Sequence, residues 1–380
     1  MTLFRRAMDG SLRDCPVRGV AWRYFLGALS GAPADWVGQL QAQRKEFDVL
    51  CDEHCVDPTR LADAPEADLS VVNPLSCDEA SPYQVYFASS ALREEIEQDL
   101  RRLHPGVAFY VRPDVQRIML RILFVWARMH PAVGYRQGMH ELVALLVSVH
   151  WDEAAEAAEA EAAEAALLAE APALAEARLR SPPAGSWPRL DGVGGGNGGS
   201  DSPNHFDDDR ESTALLGTVL RGEYVEAATW ASFAQLMRGM HEYFDPGAGS
   251  LEHAKAPLEP NSAPGMTPLL RRCARIQGER LVDADPTLHA RMVSLGIEPQ
   301  LYLLRWLRLL FGREFHTDDV KVVWDAIFAY GRNGGDGGGA AAARPQAGEQ
   351  VMAALRWWRT FPWPCSCMCE KTCCASTSPT

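Results

Sequence analysis

The sequence predicts an all-α fold built around a large apolar core. Apolar residues recur at three- and four-residue spacing in several segments, whereas few segments show the alternation typical of half-buried strands. Residues 152–180 are almost entirely Ala, Glu and Leu, a composition that favours helix. With 380 residues, 47% of them hydrophobic, the chain is long enough for one large domain or two lobes.

Helices are expected first in residues 10–50, where apolar side chains fall near one face. Residues 51–90 contain several prolines and are predicted to form a connecting loop with short helical turns. A further helix should end before Pro105, because a proline ring disfavours helical conformation in the residue that precedes it.

Two helices that contribute to the core are predicted next. Residues 115–126 place large apolar side chains at helical spacing and arginines on the opposite side, which is typical of an amphipathic core helix. Residues 139–151 form an almost wholly apolar segment, which is also expected to be helical.

The composition changes sharply at residue 152. We predict a low-complexity acidic insertion over 152–213, helical at first and then disordered, because 181–213 contain Pro-Pro, a glycine run and three consecutive aspartates. The domain should resume near Ala214. Helices are then expected over 269–292 and over 298–311.

The helix predicted over 298–311 has an assigned core face. The apolar residues placed on that face are Leu301, Leu304, Leu307 and Phe311. The opposite face carries Arg305 and Arg308.

The charge distribution bears on the partners. A net charge of −13 argues against nucleic acid as a partner, since nucleic-acid binding needs a basic surface. Residues 101–140 nevertheless contain seven arginines and one acid, Asp114. This stretch could present a positive face to phosphates, or it could be an ordinary solvated helix face.

No apolar leader follows Met1 and no run of 18 apolar residues occurs, so we expect a cytoplasmic protein without a transmembrane segment. Scattered cysteines in the body suit reduced thiols. Five more cysteines crowd residues 365–374. Metal binding, S-acylation, a tail without function and an artefact of the gene sequence are all open for them, and no metal site is predicted.

Two short motifs stand out on this helical frame. The first motif, I-x-x-D-x-x-R, consists of Ile96, Asp99 and Arg102. The second motif, Y-x-Q-G-M, consists of Tyr135, Gln137, Gly138 and Met139. They resemble the two signature motifs of the TBC domain, the catalytic module of Rab GTPase-activating proteins. The resemblance covers roughly residues 8–150 and 214–331, and residues 73–76, 304–315 and 323–325 look like the member-5 branch of that family.

The resemblance implies an all-α domain of two lobes over 8–331, interrupted by the insertion, with a separate tail over 332–380. It implies that Arg102 is an arginine finger and Gln137 a glutamine finger, both supplied in trans to a Rab GTPase. Asp99 would orient the Arg102 guanidinium, since residues three apart are neighbours on a helix. Ile96 would anchor that helix.

The remaining motif positions have supporting roles by the same resemblance. Tyr135 would support the site, Gly138 and Met139 complete the motif, and Pro105 is retained after the first motif. The family pattern continues R-T-x-P, whereas this chain has Leu103 in place of the threonine.

No cofactor is expected, because the chain lacks a phosphate-binding G-x-x-x-x-G-K-[ST] loop. The GTP and Mg²⁺ would belong to the Rab GTPase, so no stand-alone catalytic reaction is expected. The member-5 branch also implies retromer as a partner and a peripheral place on endosomal membranes. Pro74 and Leu75 are the candidate retromer-docking residues, with packing of Leu75 in its own domain as the competing interpretation.

Two other functions stay open at this point. The segment after 331 departs from the family pattern, and a shortened second lobe would favour a helical module that binds a Rab or retromer without stimulating hydrolysis. A cysteine-tail metal or membrane adaptor is a third hypothesis.

Overall fold

The computed structural model describes residues 3–32, 35–55, 82–170, 220–245 and 266–333, and every regular element in these ranges is helical. In chain order the α-helices are α1 Leu3–Met8, α2 Arg18–Leu26, α3 Trp36–His54, α4 Pro82–Arg102, α5 Ala108–Val111, α6 Pro113–Met129, α7 Met139–Glu170, α8 Val225–Met240, α9 Pro268–Arg275, α10 Leu281–Ala284, α11 Pro286–Ser294, α12 Gln300–Arg308 and α13 Thr317–Asn333. A π-helical turn, Ile276–Arg280, joins α9 to α10. The all-α prediction is confirmed.

The long helix α7 is central to the first lobe. Its apolar N-terminal part is buried from residue 142 to residue 147, and it packs against α2, α4, α6 and α8. Helix α6 presents the predicted apolar face to this core, with Val115, Met119, Ile122 and Trp126 buried. The helical periodicity of the sequence therefore identified this core helix correctly.

A buried carboxylate joins α7 to α2. Glu153 accepts hydrogen bonds from the Val20 backbone N–H at 2.8 Å and from Arg23 Nη2 at 2.9 Å. The first bond satisfies one of the N–H groups that a helix leaves unpaired in its first turn. Gly19 permits this close packing, because a Cβ there would lie 2.5 Å from His150 Nδ1.

A second buried carboxylate closes the lobe between α2 and α13. Asp325 accepts a hydrogen bond from Trp22 Nε1 at 2.7 Å and one from Arg18 Nη2 at 3.1 Å. The Trp22 ring also packs within 5.6 Å of Trp324 and 5.2 Å of Phe328. These contacts join residues about 300 positions apart in the sequence.

The second, smaller lobe contains α9 to α12. The continuous helix predicted over 269–292 is wrong, because the chain breaks at Asp285 and Pro286. Asp285 caps α11 by accepting a hydrogen bond from the Leu288 N–H at 2.9 Å, and Pro286 takes the first helical position, where its missing N–H is not needed.

The core face predicted for the next helix is also partly wrong. In α12 the fully buried residues are Leu303 and Leu307, whereas Leu301 is 73% exposed. Helix α12 ends at Arg308, so Phe311 lies beyond it, although it is buried. Tyr302 is half-buried and donates its hydroxyl hydrogen bond to Gln277 within the same lobe.

Two predicted segments, the loop over 51–90 and the insertion over 152–213, differ from the observed structure. The predicted loop over 51–90 is wrong at both ends, since α3 continues to His54 and α4 starts at Pro82, and residues 56–81 lie outside the described ranges. Within the predicted insertion, helix α7 continues to Glu170, and Glu153, Ala154 and Ala157 are buried in the domain. Within the described ranges, no helix combines the length and the apolar composition needed to cross a membrane.

Candidate functional site

Helix α4 places Arg102 at its very end. Ile96 and Leu100 are buried in the last two turns of the helix, and Leu103 is buried directly after it. Leu103 therefore anchors the chain through apolar packing at the position where the family pattern has a threonine. Arg102 is exposed between these anchors and makes no hydrogen bond or ion pair with any residue that the structure describes.

The neighbouring Arg101, unlike Arg102, forms an ion pair within the described ranges. Its Nη2 atom lies 2.8 Å from Glu97 Oε2, an exposed ion pair at four-residue spacing on the same helix. Beyond Arg102, His104 adopts a positive φ of 38°, which ends the helix, and its ring lies 5.4 Å from that of Tyr110. Pro105 follows in an exposed position.

The second motif forms a short loop leading into α7. Tyr135 is buried, Gln137 is exposed, and Met139 is fully buried as the first residue of α7. Gln137 makes no hydrogen bond with the described residues. Gly138 has a φ of +102°, a conformation that residues with a side chain rarely adopt.

One hydrogen-bonded cluster joins the two motifs. The Tyr135 hydroxyl donates to Asp99 Oδ2 at 2.8 Å and lies 2.8 Å from His140 Nδ1. The expected contact between Asp99 and Arg102 is wrong, since no hydrogen bond joins the two and Asp99 instead faces Tyr135. Asp99 thus fixes the helix that ends at Arg102 to the loop that carries Gln137.

Burial shifts the pKa values of this cluster in favour of the neutral side chains. The pKa of Tyr135 is raised, first by burial and then by its hydrogen bond to Asp99. The pKa of His140 is lowered, chiefly by burial and in part by Arg313 and His104, although Glu141 and Asp99 oppose the shift. Both side chains are therefore neutral near pH 7.

A turn of the second lobe supports the same loop, and sequence reasoning missed it. Leu310 and Phe311 both have positive φ, 46° and 65°, which is a strained conformation for such residues. The turn is held by the hydrogen bond from Trp324 Nε1 to the Leu310 carbonyl at 2.8 Å. The preceding residue, Leu309, lies so close to Gly138 that a Cβ there would be 3.0 Å from Leu309 Cδ2.

An ion pair reinforces this support. Arg313, just after the strained turn, approaches Glu141 with Nε at 2.8 Å from Oε2 and Nη2 at 2.6 Å from Oε1. Such a bidentate pair fixes orientation as well as distance. Nothing in the sequence around Arg313 indicates that it pairs with Glu141, which lies 172 positions away.

The positive charge of the arginine-rich stretch 101–140 is partly compensated by ion pairs. Ion pairs occupy Arg101, Arg112 and Arg121. Near Gln137, the half-buried Arg136 has no hydrogen-bond partner for its Nε among the described residues. The pKa of Arg308 is lowered by burial and by the nearby Arg136, and Arg308 Nε donates to the Tyr243 carbonyl at 3.0 Å.

Pro74, Leu75 and the five terminal cysteines lie outside the described residues. A docking role for Pro74 and Leu75 stays a prediction.

The arrangement of Arg102 and Gln137 suits chemistry on an external group. Neither residue is paired with a side chain in the part of the domain that the structure describes, which leaves both able to contact a partner. A guanidinium can stabilise negative charge that develops on a phosphoryl group, and an amide can orient a water molecule.

Comparisons with known proteins agree with this fold. The family model described as "Rab-GTPase-TBC domain" matches residues 16–162 and 213–334. TBC1 domain family member 5 is 29% identical over 336 residues in Mus musculus, covering 86% of this chain and 35% of that protein, and 29% identical over 338 residues in Homo sapiens, covering 87% and 36%. This chain therefore spans about a third of the length of these relatives.

Two further relatives match over most of the chain. GTPase-activating protein gyp1 of Schizosaccharomyces pombe is 28% identical over 317 residues, which cover 83% of this chain and 44% of that protein. The crystal structure of the Ypt/Rab-GAP domain of Gyp1p superposes with a TM-score of 0.53 at 16% identity, covering 94% of this chain and 92% of that one, and it shows a shared fold. With its family model matched over both lobes, the chain belongs to the Rab-GTPase-TBC domain family.

Proposed function

We propose that this protein accelerates GTP hydrolysis by a Rab-family GTPase, with Arg102 and Gln137 supplied in trans to the nucleotide site of the partner. The GTPase would bring its own GTP and Mg²⁺, and this chain would contribute no nucleotide-binding loop.

One observation carries the proposal. Arg102 and Gln137 are both exposed and make no hydrogen bond or ion pair with the described residues, yet the elements that bear them are fixed to each other by the hydrogen bond between Asp99 and Tyr135. Unpaired polar ends on a rigid frame are what a site needs if its ligand comes from another protein, because little reorganisation accompanies binding. Membership of the family supports the choice of a Rab as partner.

The proposed roles follow from the chemistry of the two side chains. The transition state of phosphoryl transfer spreads negative charge over the oxygens of the γ-phosphoryl group, and the guanidinium of Arg102 would stabilise that charge. The Gln137 amide can accept from and donate to one water molecule, which would be held in line for attack.

The experiment is single-turnover GTP hydrolysis with a panel of purified Rab proteins. Arg102→Ala should reduce the stimulated rate by about 10³-fold or more, within the range of trans-acting arginine fingers. Arg101→Ala is the matched control, because Arg101 lies next in sequence, is also exposed and forms an ion pair with Glu97. Gln137→Ala should also lose stimulation, while binding of each variant to GTP-loaded Rab weakens far less.

Two results would contradict the proposal. Loss of activity in Arg101→Ala with near-full activity in Arg102→Ala would show that the motif register is wrong. Tight binding of GTP-loaded Rab by the wild type without stimulation of any Rab would favour a non-catalytic helical binding module.

The trafficking assignments are proposals as well. The resemblance to TBC1 domain family member 5 supports a cytoplasmic protein that associates with endosomal membranes and retromer. Leu75→Asp should abolish retromer pull-down and leave GTP hydrolysis unchanged if Leu75 is a docking residue. A parallel loss of thermal stability and activity would instead place Leu75 in the core.

A further inference from the structure

His140 is a buried polar residue that neither motif includes. It is the second residue of α7, it follows Gly138 and Met139 directly, and only 4% of its surface is exposed. A buried imidazole needs a partner for its N–H group, because an unsatisfied buried donor is destabilising. The partner of His140 Nδ1 is the Tyr135 hydroxyl, 2.8 Å away.

The direction of this hydrogen bond follows from counting protons. Tyr135 has a single hydroxyl proton, and the 2.8 Å bond to Asp99 uses it, since a carboxylate can only accept. The tyrosine oxygen must therefore accept from His140, which requires the tautomer with the proton on Nδ1. The Gly138 N–H also points at Nδ1 across 3.4 Å, a contact that would need Nδ1 to accept. The 2.8 Å contact with the Tyr135 oxygen is much shorter, so we assign the tautomer from it and expect the Gly138 contact to be at most a weak one.

The surroundings of His140 are consistent with this neutral tautomer. Its Nε2 atom lies 3.8 Å from Glu141 Oε1, which is too far for a hydrogen bond. Glu141 is already engaged by Arg313, and Asp99 by Tyr135. No described carboxylate is therefore free to draw a second proton onto the ring.

We propose that His140 is a positioning residue for both fingers. Its Nδ1–H occupies the acceptor site of the Tyr135 oxygen and so directs the hydroxyl proton to Asp99. Through Tyr135 it holds the glutamine loop against the end of the arginine helix. This inference rests on the proposed function for its effect on hydrolysis, but the hydrogen-bond arrangement itself belongs to the free protein.

Three substitutions separate a positioning role from simple packing. In His140→Asn the amide nitrogen can occupy nearly the place of Nδ1 and donate to Tyr135. In His140→Gln the amide reaches the region of Nε2 instead, and in His140→Leu the volume remains but the donor is lost. The asparagine variant is therefore the matched conservative change.

We expect His140→Leu and His140→Gln to lower the maximal single-turnover rate by about 10- to 100-fold, as small misplacements of reacting groups do. Half-saturating concentrations should change little, because the Rab-contacting surface is intact. His140→Asn should restore most of the rate. In a Tyr135→Phe background, His140→Leu should cause little further loss, since both substitutions break the same chain. Equal losses in the asparagine and leucine variants would overturn the proposal.

A measurement without GTPase separates this proposal from the proposed function. Nitrogen-15 NMR of the histidine rings in the free wild-type protein should show His140 protonated at Nδ1 and unprotonated at Nε2. Amide hydrogen exchange should accelerate in residues 134–138 of His140→Leu and not across the domain. A wild-type ring protonated at Nε2 would overturn the proposal, whatever the Rab assays show. Failure to stimulate any Rab, with the Nδ1 tautomer observed, would overturn only the proposed function.

Discussion

Tyr135 donates its hydroxyl proton to Asp99 across 2.8 Å, and this bond spans 36 positions of the sequence to fix the arginine helix to the glutamine loop. Both partners are largely buried, so water cannot readily replace the bond. The relative position of Arg102 and Gln137 therefore depends on a buried contact beneath these two exposed side chains.

Tyr135→Phe tests that dependence. The ring and its packing remain, but the bond to Asp99 is lost, so we expect stimulated GTP hydrolysis to fall about tenfold or more with a small change in melting temperature. Single-turnover rates and thermal unfolding provide the measurement. Tyr302→Phe is the control, because it removes a comparable hydroxyl bond of 3.0 Å to Gln277 in the second lobe. Equal effects of both substitutions on activity would contradict the assigned role.

Gly138→Ala tests the shape of the glutamine loop. The new Cβ would lie 3.0 Å from Leu309 Cδ2 with φ at +102°, so the loop must shift, and we expect a large loss of stimulated hydrolysis. Gly134→Ala is the matched control in the same loop, since its φ is +63° but no atom lies within 4 Å of the new Cβ. Backbone strain there should destabilise the protein by about 1 kcal/mol. Similar activity losses in both variants would show that strain, not contact with Leu309, limits the loop.

Asp325 should make stability depend on pH. Burial raises the pKa of this carboxyl to about 7, from the ordinary value of 3.8, despite the opposing effects of Arg18 and Trp22. Because the folded-state pKa lies above the unfolded one, the stabilising contribution is complete below pH 3.8 and is lost as pH rises through about 7.

The measurement for Asp325 is urea unfolding of the wild type and of Asp325→Asn over a range of pH. From about pH 5 to pH 7, the free energy of unfolding of the wild type should fall relative to the variant by up to ~1.4 kcal/mol per pH unit. Parallel profiles for the two proteins would show that this carboxyl does not titrate in the window.

Trimming the acidic insertion tests where the packed part of α7 ends and the insertion begins. Replacing residues 160–213 by a short Gly/Ser linker should preserve activity and cooperative melting, since the described side chains from 158 to 166 are exposed and closing a loop of different length changes stability little. Deletion of 152–213 should instead unfold the protein, because it removes Glu153 and leaves the buried Arg23 without its partner. Circular dichroism melts distinguish the two. Survival of the longer deletion would show that the pair is dispensable.

The sequence predicted those parts of the fold that depend on local pattern. Helix α6 follows its apolar periodicity, and the end of α4 follows from Pro105. The break at Pro286 was missed because the apolar pattern continues through it, and only the Asp285 cap identifies a new helix start. Leu301 was placed on the wrong face because Leu301 and Leu303 are the same residue type on different sides of the helix, and hydrophobicity alone cannot say which side meets the core.

In the candidate site, sequence alone could propose the two motifs but not what supports them. The contacts of His140 with Tyr135 and of Arg313 with Glu141 depend on tertiary packing, and neither has a local signal. Glu153 was assigned to the insertion because its buried pairing with Arg23, 130 positions away, is invisible within an Ala/Glu-rich run.

The pairing of Arg18 with Asp325 has a consequence for biosynthesis. Helix α2 packs part of its apolar face on α7, but Trp22 is buried against residues that are translated about 300 codons later, so this part of the face has no final partner until α13 has left the ribosome. Contacts so distant in sequence slow folding, and apolar surface that stays exposed meanwhile promotes aggregation. Nascent chains of this protein should therefore need chaperone protection until α13 has been made.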